Sequence, residues 1–345
     1  MTISPLPNIL ATLPSTAIKT APSVLEIWLR LYPPPRRGKV HARILRMSGP
    51  GKNGATRTTR VGRHLPTSGG LVKSTLRLAR EQGLEAVQIF VSNPQGWAVP
   101  QPRPDAEDFV EGAREAGISP VVVHAKYLIN LASQKPDHRE RSAEVLAAEL
   151  VAAGALGAHY VVVHSGSHGG DGEELGMERL IEGLVRAREI SLEQAGERGP
   201  AEPVVENSVG AGTQLCSSFE DLARVTSGAG VRACVDTAHA FVAGHDLSTP
   251  TGAGRVAREL RETLGDGIAL LHLNDAKNEL GSRRDGHKRI GEGHVSTEAW
   301  TEFFEGLPGV PAVMETPYDT PKVDAEQVKL VKELAGGLPL APSGV

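Results

Sequence analysis

From residue 59 onward, short runs of apolar and β-branched residues alternate with longer stretches in which apolar positions recur at helical spacing. The first kind fits a strand buried on both faces, and the second fits an amphipathic helix that covers it. The strand runs are Arg60–His64, Ala86–Val91, Pro120–His124, Tyr160–His164, Pro203–Glu206, Arg232–Asp236, Ala269–Leu273 and Ala312–Glu315. The helical stretches are Leu71–Gln82, Ala106–Glu115, Arg139–Ala153, Glu174–Gly196, Ser218–Val225, Gly254–Leu264, Thr297–Glu305 and Ala325–Leu334. Eight strands, each followed by a helix, predict an α/β fold. A (β/α)8 TIM barrel over residues 59–336 fits them better than an open doubly wound sheet. No G-x-G-x-x-G or G-x-x-x-x-G-K-[ST] follows a strand, so no nucleotide cofactor is expected.

Residues 1–58 break this pattern. Pro5, Pro7, Pro14, Pro22, Pro33, Pro34 and Pro35 punctuate them, and only Ser23 to Leu31 has the makings of a short helix. They read as a poorly structured basic extension, either a passive tail or an arm for DNA, and residues 337–345 read as a short C-terminal tail.

Charge sharpens the division. Ten of the 37 Lys and Arg fall within residues 1–60 against one of the 41 acids, Glu26, so that segment is +9 and the remainder −13, for a net −4. An acidic body suits an anionic substrate only if bound metal supplies positive charge where a phosphate sits. No apolar run is long enough to span a membrane, and no signal peptide is recognisable, so a cytoplasmic protein is expected. The two cysteines, Cys216 and Cys234, cannot form a disulfide framework and read as small buried hydrophobes.

The chemistry is concentrated where the strands end. The apolar runs terminate in His124, His164, Glu206, Asp236, His272 and Glu315, with His239, Asp285 and His287 following in loops. In a TIM barrel the C-terminal strand ends open on one face, so residues far apart in sequence converge on one pocket. Singly, each would be a hydrogen-bonded rim histidine or a salt-bridge partner. Together, four carboxylates and five imidazoles aimed at one mouth would repel one another without cations between them. Neutral imidazole and carboxylate are the ligand set of zinc, and nine ligands exceed one tetrahedral ion, so two or three metals are implied. Such a centre suits phosphodiester hydrolysis.

Several stretches carry a resemblance to the endonuclease IV family of AP endonucleases, over roughly residues 59–335. They are Gly62-Arg63-His64 with Ser68-Gly69-Gly70; His124 with Tyr127-Leu128-Ile129-Asn130-Leu131; His164-Ser165-Gly166-Ser167-His168; Glu206-Asn207; Asp236-Thr237-Ala238-His239-Ala240-Phe241; His272-Leu273-Asn274-Asp275-Ala276-Lys277; and Asp285-Gly286-His287 with Gly291-Glu292-Gly293. The resemblance implies three zinc ions. One would be held by His124, His164 and Glu206, a second by Glu206, Asp236, His272 and Glu315, and a third by His239, Asp285 and His287. Manganese in one position would fit the same ligands. It further implies a monomer acting on double-stranded DNA in base excision repair. The phosphodiester 5′ to an abasic site would be hydrolysed to a 3′-hydroxyl and a 5′-deoxyribose phosphate, with Glu206 and Glu315 in catalysis and with 3′-repair diesterase activity besides. His64, Gln95, Trp97, Tyr127, Asn274 and Lys277 would contact DNA. Two places depart from the family. Gln95 and Gly96 stand where members carry Arg then Gln before the tryptophan, and Gly286 stands where they carry Arg between the ligands. A metal-dependent sugar isomerase or epimerase shares the fold but has no need of His239, Asp285 and His287 as a third set.

Overall fold

A computed structural model of the chain describes residues 59–336; the basic extension with its candidate helix Ser23 to Leu31, and the C-terminal tail, lie outside the described residues. Eight parallel strands close into a barrel in the order β1-β10-β7-β6-β5-β4-β3-β2. They are β1 (Val61–His64), β2 (Ala86–Ile89), β3 (Val121–His124), β4 (Tyr160–His164), β5 (Glu202–Glu206), β6 (Arg232–Asp236), β7 (Ile268–His272) and β10 (Ala312–Met314). The expected strands are all present, shifted by a residue or two at their ends.

Helices pack outside: a π-helical turn over Leu71–Leu76 running into α1 (Arg77–Glu81), then α2 (Ala106–Glu115), α3 (Pro136–Ala155), α4 (Glu173–Gln194), α5 (Phe219–Ala229), α7 (Pro250–Leu264), α8 (Thr297–Gly306) and α9 (Pro321–Gly336). Their starts follow local chemistry. The hydroxyl of Ser218 accepts from Asp221 N at the head of α5, and that of Thr249 accepts from Gly252 N at the head of α7, where Pro250 occupies the first turn without needing a donor. The expected start at Gly254 therefore falls a turn late.

Two elements were not expected. A short helix, α6 (Thr237–Ala243), begins directly at Asp236, whose carboxylate accepts from His239 N. A two-stranded antiparallel sheet pairs β8 (Asp275–Ala276) with β9 (His287–Lys288).

The barrel interior is layered. Ala86, Val122, Val162, Val204, Cys234, Leu270 and Val313, each from a different strand, belong with Ala269 to one buried apolar cluster. At the eighth strand Gly62 takes the equivalent place, where a Cβ would run into the carbonyl oxygen of Ala86. Side chains alternate along a strand, so two residues further on each chain points into the same lumen one layer higher. Those residues are His64, Gln88, His124, His164, Glu206, Asp236, His272 and Glu315. Every strand thus delivers one polar side chain to the mouth.

Candidate metal centre

Strand register sets the first distances. His164 pairs with Glu206 across β4 and β5, and Asp236 pairs with His272 across β6 and β7, so these side chains stand on neighbouring strands at one height. Glu206 sits at the centre. Its Oε2 is 3.3 Å from His164 Nε2 and 3.7 Å from His124 Nε2, while its Oε1 is 2.8 Å from His272 Nδ1 and 3.6 Å from His239 Nδ1. Glu315 Oε2 lies 3.2 Å from His272 Nδ1.

Three sets of donor atoms lie within 4.8 Å of one another: His124, His164 and Glu206; Glu206, Asp236, His272 and Glu315; and Asp236, His239 and His287. The first two sets are those the sequence leads one to expect. The third holds Asp236 with His239 and His287, where Asp285 was the expected carboxylate. Asp285 belongs to the same place, with its Oδ1 3.3 Å from His239 Nε2 and 3.5 Å from His287 Nε2. Two carboxylates, Glu206 and Asp236, are therefore each shared between two sets.

The unexpected elements explain how the late ligands arrive. Helix α6 turns the chain immediately after Asp236, so His239, one turn on, faces the ligand it follows. The β8–β9 pairing folds the long loop after β7 back over the mouth and sets His287 Nε2 3.6 Å from Asp236 Oδ2. The return is fastened by the backbone, the Lys277 amide donating to the Gly286 carbonyl at 2.9 Å.

Three of the imidazoles are held by the nitrogen that faces away. His124 Nδ1 is 2.7 Å from Ala125 O, His239 Nδ1 is 3.0 Å from Asn207 O, and His272 Nε2 is 2.8 Å from Gln88 Oε1. Each acceptor can only receive a proton, which places one on that nitrogen and leaves the other nitrogen to face the carboxylates. Gln88 does more, since its amide nitrogen donates to Glu315 Oε1 at 2.6 Å and lies 3.1 Å from His64 Nδ1. Asn207 brackets the Asp236 backbone with bonds of 2.7 and 3.1 Å. Asn274 donates to Asp236 Oδ2 at 2.7 Å and accepts from Glu315 N at 2.8 Å.

The buried carboxylates and imidazoles are strongly coupled. Burial alone would raise Glu206, yet the imidazoles of His272, His124 and His164 hold it well below the usual carboxylate range. Glu315, also buried, is brought to about 2 chiefly by His272 and His124. Burial would lower His239, but Asp236, Asp285 and Glu206 lift it to about 10, whereas burial prevails at His164 and leaves it at about 4. Within the ligand sets, two buried atoms are without a hydrogen-bond partner, Glu206 Oε2 and His287 Nε2. Both point into the ligand sets, and unpaired buried polar atoms of this kind are satisfied by a metal.

Around this centre the residues expected at DNA fall into two groups. His64, Tyr127, Gln95 and Lys277 lie at or near the surface of the mouth. Tyr127 stacks on His164 with ring centroids 6.0 Å apart. Trp97 is half-buried, with the Arg141 guanidinium 4.6 Å over its ring and His138 edge-on at 5.3 Å. Asn274 is fully buried behind Asp236 and Glu315. A cleft of about 220 Å³ opens beside the centre, lined by Tyr127, Asn130, His164, Ser167, Gln214 and Asp285.

Residues 76–335 match a family described as the xylose isomerase-like TIM barrel. The chain is 36% identical over 286 residues to a probable endonuclease 4 of Haloarcula marismortui, covering 80% of this chain and 99% of that protein. The crystal structure of endonuclease IV from Thermus thermophilus superposes with a TM-score of 0.70 at 32% identity, over 81% of this chain and 99% of that one. A D-tagatose 3-epimerase-like protein superposes with a TM-score of 0.60 at 19% identity, over 81% of this chain and 98% of that one, a likeness of fold alone.

Proposed function

The chain belongs to the endonuclease IV family and is a hydrolase of that nuclease type, and from this premise we propose that it is a zinc-dependent apurinic/apyrimidinic endonuclease. Its substrate is the phosphodiester 5′ to an abasic site in duplex DNA, its products are a 3′-hydroxyl and a 5′-deoxyribose phosphate, and it trims blocked 3′ ends in base excision repair. The observation that carries the reading is the pair of shared carboxylates, Glu206 and Asp236, which join three ligand sets into one centre at the barrel mouth.

His124, His164 and Glu206 would hold one ion. Glu206, Asp236, His272 and Glu315 would hold a second, and His239, His287 and Asp285 with Asp236 a third. Zinc in these positions supplies Lewis acidity to phosphate oxygens and makes a water acidic near neutral pH. The protein's part is orientation. Ala125 O, Asn207 O and Gln88 fix the tautomers, while Asn274 aims the Asp236 carboxylate and holds the Glu315 backbone, and Gln88 holds the Glu315 carboxylate. Tyr127, half open above His164, bounds the cleft that receives the sugar-phosphate. Lys277, exposed in the loop after β7, would meet a phosphate.

An oligonucleotide duplex carrying a tetrahydrofuran abasic analogue tests this directly. The purified protein should incise it 5′ to the analogue and contain about three metals per chain by elemental analysis. Glu206→Gln should abolish incision and reduce metal content without loss of the fold. Retained incision by that variant, or one metal or none in the wild type, would refute the reading.

A further inference from the structure

Tyr318 follows Glu315 by three residues, in the loop between β10 and α9 at the mouth. Among the described residues only two aromatic side chains are strongly exposed, Tyr127 and Tyr318, each at 53%. Tyr318 is open yet fastened. The buried guanidinium of Arg63 lies under one face, 5.1 Å from the ring centroid, and is itself tied to Asp324 at 2.6 Å. The hydroxyl donates to the carbonyl oxygen of His64, and the next residue, Asp319, accepts from Arg289 at 2.7 Å. One face is covered by a cation, the edge is latched, and the other face is left to solvent.

The neighbourhood of this ring is aromatic. His64 packs on Phe90 at 4.5 Å, and Phe90 meets Tyr127 at 5.6 Å, so rings border the mouth from the end of β10 past β1 and β2 to β3. The loop that follows β7 instead carries Lys277, Arg283 and Arg284, all exposed. A rim divided between π-faces and cations matches a nucleic acid, whose bases stack on rings while its phosphates seek positive charge.

We propose that Tyr318 is a stacking platform for a nucleobase flanking the lesion, which places it among the residues that grip the substrate. The proposal rests on the reading of the chain as an abasic-site nuclease. It also addresses the departure at the β2 loop. There Gln95 and Gly96 offer no ring, and the Tyr318 ring, fastened to His64, supplies a flat face at the same mouth.

The test compares Tyr318→Phe, Tyr318→Leu and Tyr318→Ala holoenzymes on the tetrahydrofuran duplex, with metal content and melting temperature recorded for each. Phe keeps the ring and should match the wild type within about twofold, whereas Ala should raise KM by roughly tenfold, the scale of one lost base–aromatic stack, with a much smaller change in kcat. Leu covers Arg63 without a π-face and should resemble Ala. If Leu or Ala retains the wild-type KM, or if Phe loses as much as Ala, Tyr318 is only a cover for Arg63 or a hydroxyl latch and the proposal fails. Should Ala fail to fold, the Leu result decides. A wild-type protein that leaves the tetrahydrofuran duplex intact would instead overturn the underlying nuclease reading, a different and separately visible failure.

Discussion

Gln88 shows how much one uncharged side chain can govern. Its carbonyl oxygen receives the proton of His272 Nε2, and its amide nitrogen serves Glu315 and His64. Replacing it by Leu leaves an N–H and a carboxylate oxygen without partners beside two ligands. Losses of such supporting bonds cost metal affinity or activity about 10- to 100-fold, so Gln88→Leu should lose metal on dialysis far faster than the wild type. Unchanged retention would show that the strand ends alone fix the ligands. The nine ligand candidates were legible in the sequence because each is a charged or imidazole residue closing an apolar run, or lies soon after one. Gln88 was not, since an amide inside Ala-Val-Gln-Ile is no metal ligand and its value comes only from what lies across the lumen. Protonation belongs to the same scale. His239, raised to about 10, carries its proton at pH 7 when the site is metal-free, whereas His164, lowered to about 4, does not. A ligand nitrogen must be neutral, so metal uptake at pH 7 should release protons, fewer of them as pH approaches 10. Calorimetry in buffers of differing ionisation heat measures this, and uptake without release at pH 7 would contradict the raised His239.

At the scale of elements, the repeat of strand and helix was readable because buried parallel strands are continuous apolar runs and their helices are amphipathic. Helix α6 and the β8–β9 pair were not. A two-residue strand has no period to detect, and α6 depends on Asp236, the last residue of its strand, serving also as the helix cap. The β2 and β3 loops are joined by a feature that the sequence conceals equally well. Lys126, buried just after His124, donates to Asn93 O at 2.7 Å, touches Ser92 Oγ and lies 3.9 Å from Glu149 Oε1 on α3. Tyr127 N adds a bond to Pro94 O at 3.2 Å. The stretch holding Gln95 is thereby bound to the stretch holding Tyr127. Lys126→Met would strand the Glu149 carboxylate in the interior, and breaking a buried pair costs about 3–5 kcal/mol. Denaturant unfolding should show that loss, and Lys126→Met with Glu149→Gln should recover most of it. A single-variant cost below about 1 kcal/mol would mean the neighbouring backbone bonds suffice.

For the whole molecule, charge and closure are the relevant properties. The +9 carried by residues 1–60 is separate from the −13 of the rest, and no ligand candidate lies within it. Removal of residues 1–46 should therefore leave metal content unchanged. A fall in metals per chain would tie the extension to the centre, while a flatter salt dependence of DNA binding would make it an arm for DNA. Closure matters because the polar ring takes one residue from each of eight strands, and β1 meets β10 to complete it. An ion that binds only the closed ring stabilises it by about 4 kcal/mol when present at a thousandfold over its dissociation constant. In a domain of this size each kcal/mol is roughly 2–4 °C. Chelation should thus lower the melting temperature by at least about 10 °C, the share of one such ion, and an unchanged value would mean the ring stands without its ions. Seen this way the strands are staves and the metals their hoop. A barrel that loses a single stave keeps no smaller version of its chemistry, because the ring of eight side chains exists only where all eight strand ends meet.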